Sequence, residues 1–401
     1  MKGVQMKFRK IFIFLLAITV ILVGFTACVN DKFAVNVVCD EEQGITKGTG
    51  SYKAGETVEV SAEAKDGYIF DKWSDNETSQ KRTITVSQDV TYTALFKRLY
   101  KIEVQCDTSK GTVTGGGEFV EGTQINISVS PKGDNALYQW NDGDDELNRT
   151  VTVTQDFTYI AEFIDITNFI FEKETGTIKG FIGDPQKIII PKYIYDIKVN
   201  EIGDWAFYDH KSLSIIRIPD SVTRIGDRAL SQTALITVEI PSSVTILGNS
   251  ALSDNPNLIS ANIPNSVTEF GGFMFYGCKS LKSATLPSSI ESLERETFSK
   301  CTSLTDITLP DSIKFIGDYV FYECGALSKV TMPRNLEKIG YGAFSFCTSL
   351  SKISLPQTIT DIKNDAFYQN NLTEISVVQG SYADTWCIKN KLSNVVVYME
   401  P

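Results

Sequence analysis

The chain has 401 residues, more than one compact core usually holds, so several domains are expected. A composition of 42% hydrophobic and 22% charged residues is that of an ordinary folded protein, without the bias of a disordered one. With 49 acidic against 38 basic residues, one histidine and no C-x-x-C or H-E-x-x-H, the chain lacks a basic footprint for nucleic acid, the ligands of a zinc site, and the imidazole of Ser-His-Asp or Cys-His catalysis; no cofactor is expected.

Residues 1–27 open with Lys2, Lys7, Arg9 and Lys10, run through apolar residues 11–25, and end Phe25-Thr26-Ala27-Cys28. The run is short for a spanning helix and has the flanks of an export signal. Small residues just before a cysteine resemble a bacterial lipobox, with Phe25 where that motif usually carries Leu. The resemblance implies that Cys28 is lipidated, that it heads the mature chain on a short linker, residues 28–32, and that the protein is held to a membrane. A plain secretory leader or an uncleaved anchor would equally place the rest outside the cytoplasm. Without the four leader bases the charge is 34 − 49 = −15.

Residues 33–97 and 98–164 form a gapless repeat of period 67, which aligns Cys39 with Cys106, Tyr52 with Phe119, Trp73 with Trp140, and Phe96 with Phe163. Alternation in Val58-Glu59-Val60 and in Ile125-Asn126-Ile127-Ser128-Val129 predicts half-buried strands, and the glycines from Gly111 to Gly117 read as a turn. Gly67, Tyr68, Phe70 and Trp73, with Ala94 and Phe96, resemble the G-Y-x-F-x-x-W core and closing A-x-F of divergent internalin-type B-repeats, which implies small all-β modules serving mostly as spacers. The second module has Asn135, Ala136 and Leu137 in that segment, so its core is expected to pack differently. Its acidic stretch Asp142-Gly143-Asp144-Asp145-Glu146 lacks the D-x-D-x-D-G order of a calcium loop and reads as a solvated hairpin tip.

Residues 165–190 are predicted to cap the repeat array that begins at residue 191, with strands at Phe169–Phe171 and Thr177–Phe181 turning at Thr175-Gly176. Residues 191–378 repeat with a period near 23. Prolines at Pro219, Pro241, Pro264, Pro287, Pro310, Pro333 and Pro356 are each followed eleven residues later by Leu230, Leu252, Phe275, Phe298, Phe321, Phe344 and Phe367. Such a unit cannot bury its own apolar face and must stack into a solenoid. In the unit Leu304-x-x-Ile307-x-Leu309-Pro310 the two-residue step predicts a strand, which proline ends because it has no N–H for the next rung. The first copy carries five extra residues between Pro191 and Phe207. Residues 379–401 read as the closing cap, a helix over 381–392 presenting Tyr382 and Trp386, then a strand over 395–398. The fold class is therefore multidomain: two small all-β modules followed by a solenoid with a parallel sheet along one side.

The proline after the strand and the segment Ala343-Phe344-x-x-Cys347 resemble the BspA-like leucine-rich repeat of microbial surface proteins. That resemblance covers about half the chain and implies an adhesive surface, with a protein on a host, matrix or neighbouring cell as partner. A cell-wall or polysaccharide-binding envelope protein is the alternative, with a glycan as ligand. Cys278, Cys301, Cys324 and Cys347 stand one per unit, at positions held elsewhere by His210, Thr233, Asn255 and Asn370, all able to satisfy turn backbone. They are expected to be free, buried thiols, because parallel side-chain vectors suit a disulfide poorly.

Two surface rows remain as candidate binding residues. On the strands the outward positions are Arg217, Glu239, Asn262, Thr285, Thr308, Thr331, Ser354 and Ser376. Beside the phenylalanines stand Tyr276, Tyr322 and Tyr368, large contact surfaces with polar tips, or else rings filling grooves between rungs.

Overall fold

A computed structural model describes residues 32–400, so the leader and Cys28 lie outside the described residues. The chain divides into two compact units, Met1–Leu99 and Tyr100–Pro401.

In the first unit Lys32–Val38 pairs antiparallel with Gly50–Lys53 and parallel with residues 90–93, and residues 94–98 take Tyr68–Trp73 antiparallel. A second sheet joins Gly44–Lys47, Thr57–Ala64 and Lys81–Thr85. Alternation along Thr57–Ala64 sends Val60 and Ala62 inward, where they meet Val35, Val37 and Trp73 in one core. The second unit opens with the same design: Asn135–Trp140 pairs with Phe157–Asp165, which runs parallel to residues 102–106, and Gly111–Thr114, Gln124–Pro131 and Asn148–Thr152 form the opposing sheet.

Both modules wrap a fully buried tryptophan. The indole Nε1 of Trp73 donates to the Ser79 carbonyl and that of Trp140 to the Glu146 carbonyl, each at 2.9 Å. A guanidinium covers each ring at 5.4 Å, Arg82 in one module and Arg149 in the other, and lies also over Tyr92 or Tyr159. Asp75 and Asp142 fix these arginines at 2.7 and 2.6 Å. The second core packs differently: buried Leu137 stands where Phe70 meets the rings of Trp73 and Phe96 in the first. Gly111 is not in a turn: it starts a strand, and a Cβ there would lie 2.4 Å from the Phe163 ring, as one on Gly44 would lie 2.3 Å from Phe96. The turn falls at Gly115, whose φ of 104° suits glycine.

The hairpin Phe169–Glu172 and Thr177–Phe181 forms as expected, and its second strand pairs parallel with Glu201–Ile202 in the first rung. Ile178 is fully buried there, so the hairpin covers apolar side chains that an open solenoid end would expose. The five extra residues fold into a small hairpin, Tyr193–Ile194 against Ile197–Lys198.

Each rung carries three ladders where the sequence suggests one sheet. The expected strands pair in parallel blocks, among them Thr237–Glu239, Ser260–Asn262 and Ser283–Thr285. A second row of two-residue strands follows each proline, as in Ser292–Leu293, Phe315–Ile316 and Lys338–Ile339. Between the rows the proline carbonyl accepts a turn bond three residues on, as from Ile313 to Pro310 at 3.0 Å. The third ladder is made by turn backbone: the N–H groups of Phe273, Phe275 and Gly277 donate to Arg295, Thr297 and Ser299 in the next rung. Side-chain-bearing residues such as Arg228, Phe273 and Tyr319 adopt left-handed φ of 53 to 58° to make it. That costs roughly 1–2 kcal/mol per residue, which the inter-rung hydrogen bonds offset.

Inside, Phe275, Phe298, Phe321, Phe344 and Phe367 stack at 5.1 to 5.4 Å. The stack ends on Trp386, edge-on to Phe367 at 5.8 Å, from the helix Tyr382–Lys389. Tyr382 shares that helix but is 42% exposed, and Trp386 seals the core together with Ala383 and Cys387. The strand Val396–Met399 then pairs parallel with Glu374–Val378.

The described cysteines are all unpaired. Those of the ladder are fully buried, and each thiol donates to the carbonyl of the preceding rung: Cys278 to Leu252, Cys301 to Phe275, Cys324 to Phe298 and Cys347 to Phe321, at 3.0 to 3.2 Å. Asn255 does the same for Leu230 at 2.9 Å, and an imidazole nitrogen of His210 reaches Phe181 O at 3.2 Å. Thr233 and Asn370 use the position otherwise: the Thr233 hydroxyl donates to Asn255 Oδ1 and Asn370 Oδ1 accepts from the Cys347 N–H, so what the row shares is a polar atom that satisfies a buried partner in the turn.

Candidate functional site

The two rows of candidate residues fall on different ladders of the rung. Thr285, Thr308, Thr331 and Ser354 stand exposed on the strand ladder, with Thr308 directly beside Thr331 and Asn262 beside Thr285. Inward neighbours Ile307, Val330 and Ile353 are buried, so the period-2 pleat is what aims the hydroxyls outward. The face is not free of long side chains, because the parallel row two residues earlier carries exposed Asp306, Lys329 and Lys352, the last paired with Glu374 at 2.7 Å.

Tyr276, Tyr322 and Tyr368 lie on the turn ladder instead. Tyr276 packs against Phe273 at 6.2 Å and accepts a hydrogen bond from Lys300 Nζ at 2.8 Å. Tyr319, Tyr322, Phe346 and Tyr368 form a chain of edge-to-face contacts at 5.4 to 5.7 Å. Half-buried Tyr276 and Tyr322 thus fill grooves, while Tyr368, 57% exposed, ends the chain.

At the N-terminal end of the strand face lies an arrangement not expected from sequence. Lys192, 6% exposed, sits among Asp145 at 3.0 Å, Glu146 at 2.9 Å and Asp220 at 2.8 Å. Burial disfavours its ammonium, but hydrogen bonds to the three carboxylates outweigh that and raise its pKa. Burial likewise opposes ionisation of Glu146, yet hydrogen bonds from Tyr193, at 2.6 Å, and Lys192 prevail and hold its carboxyl below the ordinary range. Tyr193 is pushed up to about 12, by burial first and then by Glu146. The acidic stretch is therefore no solvated tip: Asp142 and Asp144 hold Arg149, while Asp145 and Glu146 clasp the first rung. Tyr195, at the turn of the small hairpin, adds a bond to Asp134 at 3.0 Å. Behind the clasp Ala136 and Ile166 join the solenoid core, so the second β module is packed onto the solenoid.

Arg217 stacks on Tyr138 at 4.9 Å and faces Asp145 at 3.9 Å. Between this module and the first strands opens a cleft of about 1270 Å³, with Arg217, Glu239 and Asn262 on its floor and Asp144, Asp145 and Glu146 on its wall. In sequence, Lys192 stands just before the small hairpin, and the acidic run differs from its own copy in the first module, but neither feature names the other as partner.

A family model described as the BspA type leucine rich repeat region matches residues 186–304 and 268–391, together just over half of the chain. One described as the divergent InlB B-repeat domain matches residues 34–99 and 100–167. Among solved structures, a leucine-rich repeat protein from Bacteroides ovatus is 26% identical over 72% of this chain and 70% of its own, with a TM-score of 0.48. The T. pallidum leucine rich repeat protein is 21% identical, covering 45% of this chain and 86% of its own, at 0.34. A leucine rich cell surface protein from Faecalibacterium prausnitzii is 22% identical, covering 58% and 93%, at 0.28. No curated protein matches the chain.

Proposed function

The chain belongs to the BspA-type leucine-rich-repeat family, and from that premise we propose that it is a non-catalytic cell-surface lipoprotein that binds a protein on a host, a matrix or a partner cell through the strand face of its solenoid. The observation that carries this reading is the row of short hydroxyl side chains, Thr285, Thr308, Thr331 and Ser354, exposed on paired strands with buried neighbours. Such a face lets a partner approach closely and spread many weak contacts over several rungs. The tyrosines support a protein ligand over a polysaccharide, because their edge-to-face packing presents few open ring faces for sugars.

Binding arrays of matrix proteins and glycans, probed with the full chain, would identify the ligand. The double variant Thr308→Arg, Thr331→Arg should then lose at least tenfold in affinity while unfolding at the wild-type urea midpoint. Undiminished binding moves the function off this face. For the anchor, Cys28→Ala should release the protein from membranes or block its maturation, and a variant still bound at its processed size refutes lipidation.

A further inference from the structure

The cleft over the strands Ile215–Arg217, Thr237–Glu239 and Ser260–Asn262 differs from the rest of the strand face in having a wall. Its floor carries Arg217, Glu239 and Asn262, and Ile215 beside them is 54% exposed. At about 1270 Å³ it exceeds the roughly 300–1,000 Å³ of small-molecule pockets, so its dimensions suit a stretch of polymer.

Its charge is unbalanced. Asp144, Asp145, Glu146, Asp220 and Glu239 contribute five carboxylates to the lining against two cations, Lys192 and Arg217, an excess of three negative charges within the lining, of which Asp144 also meets Arg149 at 3.2 Å. Lys192 is enclosed by three of those carboxylates and offers nothing to the open space. Glu239, exposed on the floor, has no ion pair among the described residues. On the floor Thr237–Glu239 pairs with Ser260–Asn262, whereas Ile215–Arg217 pairs with Lys187–Ile189 on its other side.

We propose that this cleft docks an extended basic segment, rich in Lys or Arg, of the protein partner. The proposal rests on the reading of the strand face as a protein-binding surface and names the partner's chemistry at one end of it. Basic side chains would lie between Glu239 on the floor and the Asp144 side of the wall, with their aliphatic stems over Ile215.

The test uses the full chain and a fluorescent peptide of about ten residues alternating Lys and Ser, read by anisotropy at about 150 mM salt, where bare surface attraction is largely screened. Saturable binding is expected, weakened at least tenfold by Glu239→Lys, less by Glu239→Gln, and unchanged by Thr331→Arg. The counterpart alternating Glu and Ser should not bind. Carbodiimide cross-linking should join the Lys peptide to Glu239 or Asp144. Absence of saturable binding, equal affinity in Glu239→Lys, or cross-links scattered over the surface overturns the proposal, as does spermidine competing at the concentration of its charge equivalent in peptide. The two readings fail separately: peptide binding indifferent to Glu239 sinks the cleft alone, whereas undiminished partner binding by Thr308→Arg, Thr331→Arg moves the function off the face whatever the peptide does.

Discussion

Replacing Lys192 by Met tests whether the clasp holds the second β module on the solenoid. The lysine side chain is 7% exposed, and its partners Asp145, Glu146 and Asp220 are 18, 39 and 70% exposed. Removing one member of a buried ion pair costs about 3–5 kcal/mol, mostly because the other is left buried and uncompensated. Two of the three carboxylates here keep contact with water, which screens them and brings the expected loss to about 2–3 kcal/mol. Urea unfolding followed by the fluorescence of the four tryptophans should show this as a lower midpoint at unchanged slope. The pH dependence gives a second reading. Glu146 has a depressed pKa, so its contribution is present above the ordinary carboxylate range and is lost as pH falls through the depressed value. Lys192 has a raised pKa, so its contribution is complete below the ordinary lysine value and is lost only as pH rises beyond it. The gap between wild type and Lys192→Met should thus be flat from about pH 5 to 10 and shrink below about pH 4. A difference under about 0.5 kcal/mol at pH 7, the size of an ordinary surface substitution, or an undiminished gap at pH 3, would refute the reasoning.

Phe321→Ala should cost about 3–5 kcal/mol in urea unfolding, toward the upper end because Phe298 and Phe344 stack on both faces at 5.4 and 5.1 Å, and a loss below about 2 would contradict the continuous stack. Cys324→Ala should cost only about 1–2 kcal/mol, for a small cavity and one hydrogen bond to the Phe298 carbonyl. Burial pushes the thiols of Cys278 and Cys347 up to about 12, so at pH 8 peptide mapping should find the ladder unlabelled by a thiol reagent in the native protein and fully labelled after denaturation without reductant; a Cys278–Cys301 disulfide in that map would sink the assignment.

What could be read from sequence was whatever repeats. The proline eleven residues before a leucine or phenylalanine located seven of the rungs, and the mixture of Cys, Asn, Thr and His at one position pointed to hydrogen bonding within the turns before any geometry was known. The second row of strands stayed hidden because two residues, such as Phe315 and Ile316, are too few to show an alternation. The Arg82 and Arg149 caps on the tryptophans were visible as identities at the offset of 67, but a surface-looking arginine carries no sign of the ring beneath it. The clasp and the cleft were illegible for a different reason. They join segments 47 residues apart, and no local pattern says that Lys192 meets Asp145.

Differences between the two β modules explain why one unit of 67 residues can serve in two settings. At the position of Ile69, which is 45% exposed, the second module has Ala136, 1% exposed and packed within the solenoid core. A bulky residue there would collide with that core, whereas alanine lets the strand approach closely. Where the second module has Asp145 and Glu146 for Lys192, the first has Thr78 and Ser79 at the matching offset, and where the second offers Asp134 to Tyr195, the first has Gly67. Four positions therefore separate a module with a docking surface for the solenoid from one without, while Trp, Arg, Asp and Tyr of the shared core stay the same. The divergence of the second module from the G-Y-x-F pattern is the imprint of its contact: the residues that depart from the pattern include those that face the solenoid, and Leu137, which faces inward, changes only from one large apolar side chain to another.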